Sequence, residues 1–293
     1  MTRGNQQKES VMFQRNRMLQ MLENKQLPLG IQMFTADAAL IEVVGATGFD
    51  FVMLDSEHSG ANPRNIEDLV RACIVARVAA YVRIPDPRNA TDIRRALEAG
   101  AEGIFLPEIR SIDDINAAAE AAFFPPKGDR GICPSVRAAN FNFRSFNQYA
   151  DWNNREINLI PMIENPEGVE LIDQICSHPD VHVVIFGQGD LAFSLGEGTQ
   201  MGAGHKAAEA YRKILASARK HNVAVMGGPV LTPNAKDCRK ALEDGVRVFC
   251  LGLDSMAFRS WCEAIVRALA DGIEGQNEWR RPAVPESGFP ATN

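Results

Sequence analysis

The sequence predicts an α/β chain of the (β/α)8 TIM-barrel type. Two observations carry that expectation: eight short apolar runs recur along the chain, and segments with helical spacing separate them. A third removes the main competitor. No GxGxxG follows the first run, as a doubly wound dinucleotide-binding sheet would require.

The runs are PLGIQMF (28 to 34), FDFVMLD (49 to 55), AAYVRI (79 to 84) and GIFLPEI (103 to 109). They continue with LIPMIE (159 to 164), VHVVIFG (181 to 187), VAVMGG (223 to 228) and VFCLGLD (248 to 254). Most are continuously apolar rather than alternating, which is the pattern of parallel strands covered on both faces. Between them, helical spacing predicts helices over 37–45, 65–76, 91–99, 112–124, 205–221, 234–244 and 255–270. Gly100 and Gly245 stand where such helices stop, and Pro125-Pro126 stops another. Residues 9–24 carry a short amphipathic pattern, so residues 1–24 read as an N-terminal helical extension to a barrel over 25–271. Residues 272–293 are rich in Pro, Gly and polar side chains and read as an extended or flexible C-terminal tail. The stretch between strands four and five, 125–156, is long for a βα loop, aromatic and Arg-rich, and read as functional or disordered.

Composition narrows the function classes. A net charge of -6 over 293 residues speaks against a general nucleic-acid binder. No apolar run approaches the ~20 residues of a membrane helix, and the polar N-terminus lacks a signal-peptide core. The six cysteines are widely spaced with no CxxC, which argues against a disulfide framework or thiolate metal site and fits a reducing, cytoplasmic compartment. Most read as small buried hydrophobes.

In a barrel of this type the functional rim lies at the C-terminal ends of the strands. Asp55, Glu57 and His58 fall at the end of strand two, Arg83 at strand three, Glu108 at strand four, Glu164 at strand five, Asp190 after strand six and Asp254 at strand eight. Glu164 and Asp190, on neighbouring strand ends, suit a hard divalent cation that prefers oxygen ligands. Alone, either carboxylate reads as a solvated loop residue; the pair favours metal binding. Arg83 offers a planar fork for a substrate carboxylate, or an ion pair with a barrel acid such as Asp55, and both readings stay open. His58 is a candidate general base, though a lone loop histidine is more often simply exposed. The glycines of GQGDLAFSLG, 187–196, lead into a short helix whose first amides could hold an anion. None of the eight lysines lies in a predicted strand, so a Schiff-base mechanism is not expected and carbonyl chemistry should be metal-assisted.

The ordered motifs GFDFVMLDSEHS, YVRIP, LEAGAEGIFLPEI, PPKGDRG, MIENPEG and IFGQGDLAFSLG resemble the HpcH/HpaI aldolases over roughly residues 25–270. These are class II, metal-dependent pyruvate aldolases on a phosphoenolpyruvate/pyruvate-type barrel. The resemblance implies that Glu164 and Asp190 hold Mg2+ or Mn2+, with Co2+ a further option. It implies that Arg83 binds the pyruvyl group and stabilises its enolate. It makes His58 the catalytic base, Asp55 its motif partner, and Glu98 an acid that orients the histidine, in many members from a neighbouring subunit. Gly189 and Asp190 match the turn whose amides hold the pyruvate carboxylate. The expected partners are a small 2-oxo acid and an aldehyde, with no nucleic acid or membrane. A homo-oligomer, trimer or hexamer, is also implied, with exchange of the last helix. Phe258, Trp261, Cys262, Ile265 and Val266 give that helix a wide apolar face, which packing on its own barrel would explain equally well.

The chain departs from the family pattern at Gln188 and Ala192, where GPxDLS is common, and in GIQMF of strand one, where related aldolases often carry an aromatic. These departures bear on the second substrate. The expected reaction is reversible aldol cleavage of a 4-hydroxy-2-oxo acid to pyruvate and an aldehyde. The alternatives are a citryl- or malyl-CoA-type acyl-CoA lyase or an oxaloacetate decarboxylase on the same site, and a noncatalytic keto-acid-binding barrel. The chain lacks an evident basic cluster for CoA phosphates, which ranks the CoA reading lower.

Overall fold

The computed structural model describes residues 13–198, 204–227 and 234–274. The chain divides into two units, Met1–Asp254 and Ser255–Asn293. In the first, eight strands close into a barrel in the order β1 to β8, each pairing in parallel with the next and β8 with β1. The strands are β1 (Leu29–Met33), β2 (Phe51–Asp55), β3 (Ala79–Arg83), β4 (Gly103–Leu106), β5 (Asn158–Ile163), β6 (Val183–Phe186), β7 (Ala224–Gly227) and β8 (Val246–Leu253). Each falls within or beside its predicted run, because a strand buried on both faces needs an unbroken apolar stretch.

The surrounding helices are α1 (Arg17–Glu23), α2 (Ala38–Ala46), α3 (Pro63–Ala76), α4 (Ala90–Ala99), α5 (Ile112–Ala122) and α6 (Phe146–Glu156). They continue with α7 (Pro166–Glu170), α8 (Ile172–Ser177), α9 (Gln188–Ser194), α10 (His205–His221), α11 (Ala235–Asp244) and α12 (Asp254–Gly272). The N-terminal helix is shorter than its predicted span: α1 begins at Arg17, Asn16 caps it through the Leu19 amide at 3.1 Å, and residues 1–12 lie outside the described residues. The tail from 275 onward also lies outside them, as does Gly228 of the seventh predicted strand.

Strand alternation splits the buried side chains into two layers. Inside the barrel, Phe51, Met53, Tyr81, Phe105, Ile160, Met162, Ile185, Met226 and Val248 form one cluster. Between strands and helices a larger cluster includes Val52, Leu54, Val82, Ile104, Leu159 and Ile163. The N-terminal end of the barrel is stoppered by α1, whose Met18 joins the inner cluster. The Tyr81 hydroxyl donates to Asn16 Oδ1 at 2.8 Å, and Asn16 Nδ2 donates to the Glu102 carbonyl at 2.9 Å. Buried hydroxyls and amides need such partners.

The 125–156 stretch departs from expectation in place and in order. It follows α5 rather than β4 directly, so it runs along the N-terminal end of the barrel, opposite the C-terminal ends of the strands, and is not a βα loop. It folds around its own small core of Phe124, Ala139, Phe146 and Tyr149. Arg130 is buried there, donating to Asn153 Oδ1 at 2.7 Å and Tyr149 Oη at 3.0 Å, with its guanidinium 4.7 Å from the Phe124 ring centroid. Its aromatic and arginine content is thus used largely in packing.

The six cysteines are free, as the spacing suggested, but only Cys73, Cys176 and Cys250 are buried. Among the described residues no helix is long and apolar enough to cross a membrane.

Gly30 sits in close contact inside the barrel. A Cβ at that position would lie 2.3 Å from the Phe51 ring, and Phe51 is itself fully enclosed. Gly30→Ala should therefore lower stability by roughly 1–3 kcal/mol through overpacking. Urea unfolding followed by circular dichroism measures it, and an unchanged midpoint would contradict this packing.

Candidate active site at the C-terminal rim

The rim is organised by strand register. Asp55 and Arg83 are direct partners across β2 and β3, so their side chains emerge together on the inner face. Arg83 Nη2 pairs with Asp55 Oδ2, and both groups are buried. Arg83 Nη1 lies 3.2 Å from Glu57 Oε2, and the guanidinium sits 5.6 Å from the Phe34 ring centroid. Arg83 Nε is buried without a partner among the described residues, so one donor of the fork is uncommitted there. The ion pair and the substrate-facing fork, posed as alternatives by the sequence, coexist.

The other oxygen of Asp55 shapes the turn after β2. Asp55 Oδ1 accepts the amides of Glu57 at 2.8 Å and His58 at 2.7 Å. This is the local side-chain-to-backbone bonding that lets Asp start a turn. The Asp55 side chain is therefore the partner both of the His58 backbone amide and of the Arg83 guanidinium; the imidazole itself is elsewhere. His58 is exposed, its Nε2 3.6 Å from Glu57 Oε2.

Glu164 directly follows β5 and is buried. Asn165 follows as the helix cap, accepting the Gly168 amide at 2.7 Å, and Pro166 opens α7. The apolar run ending on an acid is thus a strand end joined directly to a helix start. Glu164 Oε1 accepts the Glu108 amide at 2.6 Å. That amide is aimed by a left-handed backbone at Glu108, φ 48°, an uncommon conformation for a residue with a side chain. Gly187 leaves room on the other side: a Cβ there would lie 2.5 Å from Glu164 Cβ and 3.0 Å from its Oε2.

Burial pushes the Glu164 carboxyl up to about 7; the Glu108 amide works against this, and the charges of Asp190 and Glu57 add to it. Glu57 is likewise pushed up to about 7 by burial, with Arg83 opposing and Asp55, Glu108 and Asp190 reinforcing. Asp190 itself is exposed, in the first turn of α9, with Gly189 beside it. The charge of Asp190 thus reaches both Glu57 and Glu164. Two neighbouring carboxylates, one buried and short of positive charge, fit a divalent cation with oxygen preference and open positions. Among the described residues no group of three or more His, Cys, Asp or Glu is placed to share an ion.

Glu57 is the functional candidate that the sequence reading left unassigned. Its neighbours in the strand-end motif were the available signal, but only the fold shows that it is enclosed against Arg83. Glu98 is the reverse case. It ends α4, at the opposite end of the barrel from His58, where its carbonyl accepts the Ala138 amide at 3.1 Å. Within one chain it does not join the rim. Asp254, by contrast, fastens the end of β1, accepting the Phe34 amide at 3.0 Å and the Thr35 amide at 2.9 Å.

The profile of the HpcH/HpaI aldolase/citrate lyase family matches residues 30–260. A hydroxypyruvate/pyruvate aldolase of Sagittula stellata is 28% identical over 246 residues, 84% of this chain and 94% of that one. A 5-keto-4-deoxy-D-glucarate aldolase of Klebsiella pneumoniae is 30% identical over 247 residues, 83% of this chain and 92% of that one. The crystal structure of an HpcH/HpaI aldolase from Desulfitobacterium hafniense superposes with a TM-score of 0.81 at 26% identity, covering 90% of this chain and 99% of that one.

The raised carboxyls give a pH dependence with a definite sign. Glu57 and Glu164 titrate at 4.5 in an unfolded chain and at about 7 here, so the folded state holds their protons more tightly. Their contribution is fully present below pH 4.5 and is lost as pH rises through 7. In a chelator, stability should fall over that interval, by about 2 kcal/mol for Glu164 and less for the more exposed Glu57. Glu164→Gln should remove most of the slope and be the more stable protein at pH 8. Urea unfolding from pH 5 to 8 measures this; an identical slope in the variant would show that Glu164 is not the titrating group.

Proposed function

The chain belongs to the HpcH/HpaI aldolase/citrate lyase family and is an enzyme of the class II aldolase/lyase type; on that premise we propose that it cleaves a 4-hydroxy-2-oxo acid reversibly to pyruvate and an aldehyde. The observation that carries this reading is the convergence of Arg83, with an uncommitted buried donor, and the raised carboxyl of Glu164 on one rim.

Glu164 and Asp190 are the residues that would hold a divalent cation, Mg2+ or Mn2+ with Co2+ a further fit. When bound, such a cation supplies Lewis acidity that makes the methyl protons of a pyruvyl group removable near neutral pH. Arg83 places positive charge beside the oxygen where enolate charge develops, and its Nε is the donor free to reach it. Pairing with Asp55 holds the guanidinium in one orientation, so little reorganisation accompanies the reaction. The amides of Gly189 and Asp190, at the start of α9, would hold the substrate carboxylate. His58, at the exposed mouth, takes or returns the proton, and Glu57 beside it tunes the local charge.

The position of Glu98 bears on assembly. An acid at the far end of its own barrel can orient His58 only from a second copy of the chain. This supports a homo-oligomer, trimer or hexamer, in which the rim is completed between subunits. In the second unit, Phe258, Trp261 and Ile265 of α12 are exposed, which fits burial against another copy.

Deuterium exchange at the pyruvate methyl, followed by NMR, tests the reading without knowledge of the aldehyde. Exchange should require Mg2+ or Mn2+, stop with EDTA, and fall roughly 100-fold or more in His58→Ala and Glu164→Ala. No exchange with any divalent ion would overturn it. Oxaloacetate and citryl-CoA are then the substrates to compare, because the family also covers citrate lyases.

A further inference from the structure

A cavity with a volume of ≈ 710 Å³ lies at the end of the barrel opposite the rim. That is the size of a small-molecule site. Four arginines line it: Arg15, Arg17, Arg77 and Arg137. In a chain of net charge -6, such a concentration of positive charge is local and specific.

Two of the four are already neutralised. Arg15 pairs with Glu156 at 3.1 Å and Glu23 at 2.6 Å, and Arg17 with Asp50 at 2.7 Å. Arg77 and Arg137 have no ion pair among the described residues, and Arg137 Nε is buried with no hydrogen-bond partner there. Arg77 is the left-handed cap of α3, φ 59°, a position that glycine or asparagine takes more readily. Its backbone is held by Arg17, which donates from Nη1 to the Arg77 carbonyl at 2.6 Å. Among the described lining residues Glu102 is the only carboxylate, and burial pushes it up, toward the uncharged form.

The wall beside these guanidiniums is aromatic. Trp152 is fixed by Nε1, which donates to the Gln14 carbonyl at 2.6 Å, and by stacking on Tyr149 at 6.2 Å and 23°. Phe13 lies 6.1 Å from Trp152, and Phe141 is exposed at the same cavity. Two unpaired planar forks recognise the oxygens of a phosphate, and rigid rings recognise a flat apolar body. We propose that this cavity binds a phosphate-bearing small molecule with a planar ring, of nucleotide size, at a site separate from the catalytic rim. The inference does not depend on which reaction the rim catalyses.

Titration calorimetry on the full chain tests it, with AMP as probe and inorganic phosphate as the ring-free control. Mg2+ and saturating pyruvate keep the rim occupied. AMP should bind saturably with the rim filled, and phosphate about tenfold or more weaker. Arg77→Gln and Arg137→Gln should each weaken AMP by about tenfold, the loss expected for one charge-assisted contact. The two arginines sit on different elements, so one variant decides the matter if the other fails to fold, as its thermal midpoint would show. No saturable heat at millimolar AMP overturns the proposal. So does AMP binding that pyruvate abolishes, or that both variants leave unchanged. Phosphate binding as tight as AMP would overturn the planar-ring requirement.

Discussion

The rim depends on the buried pair between Asp55 and Arg83. A buried ion pair is poor evidence of stability, since the desolvation of both charges offsets much of their attraction. Its value here is positional. The β2–β3 register sets the two side chains opposite each other, leaving one Asp55 oxygen to gather the Glu57 and His58 amides and one Arg83 nitrogen to meet Glu57. The turn that displays His58, the burial of Glu57 and the direction of the uncommitted Arg83 Nε all follow from that contact. Losing Arg83 would leave the Asp55 charge buried without its counter-ion, so the geometry is strongly enforced.

Around this pair the rim is short of positive charge. Asp55 is matched by Arg83, but burial raises the proton affinity of Glu57 and Glu164, and the charge of Asp190 adds to it in both. Carboxyls with raised proton affinity cost stability at neutral pH, as perturbed groups at functional sites commonly do. The structure supports Glu164 from both sides, with the amide of a left-handed Glu108 on one and Gly187 on the other. Backbone strain at Glu108 and the absence of a Cβ at Gly187 both make room for one carboxylate orientation.

The two ends of the barrel are built differently. At the C-terminal end, polar side chains leave the strands and face one another across an opening. At the N-terminal end, α1 inserts Met18 into the inner core, and Asn16 satisfies the Tyr81 hydroxyl. That division is general to the fold, with stability at the N-terminal end and chemistry at the other. The arginine-lined cavity is what departs from it here.

Much was legible in the sequence because it is written along the chain. Eight apolar runs mark eight strands, glycines and prolines punctuate the helices, and the motifs around Asp55, Arg83, Glu164 and Asp190 identify the family. By itself the sequence determined the barrel, the family and which carboxylates stand at strand ends. Tertiary structure alone decided that Arg83 is shared between Asp55 and Glu57, that Glu57 is enclosed, and that Glu98 and the 125–156 segment lie at the end away from His58. Periodicity reports which face of an element is apolar. It does not report register between strands or the end of the barrel at which a segment after a helix emerges, because both are set by pairings between residues distant in sequence.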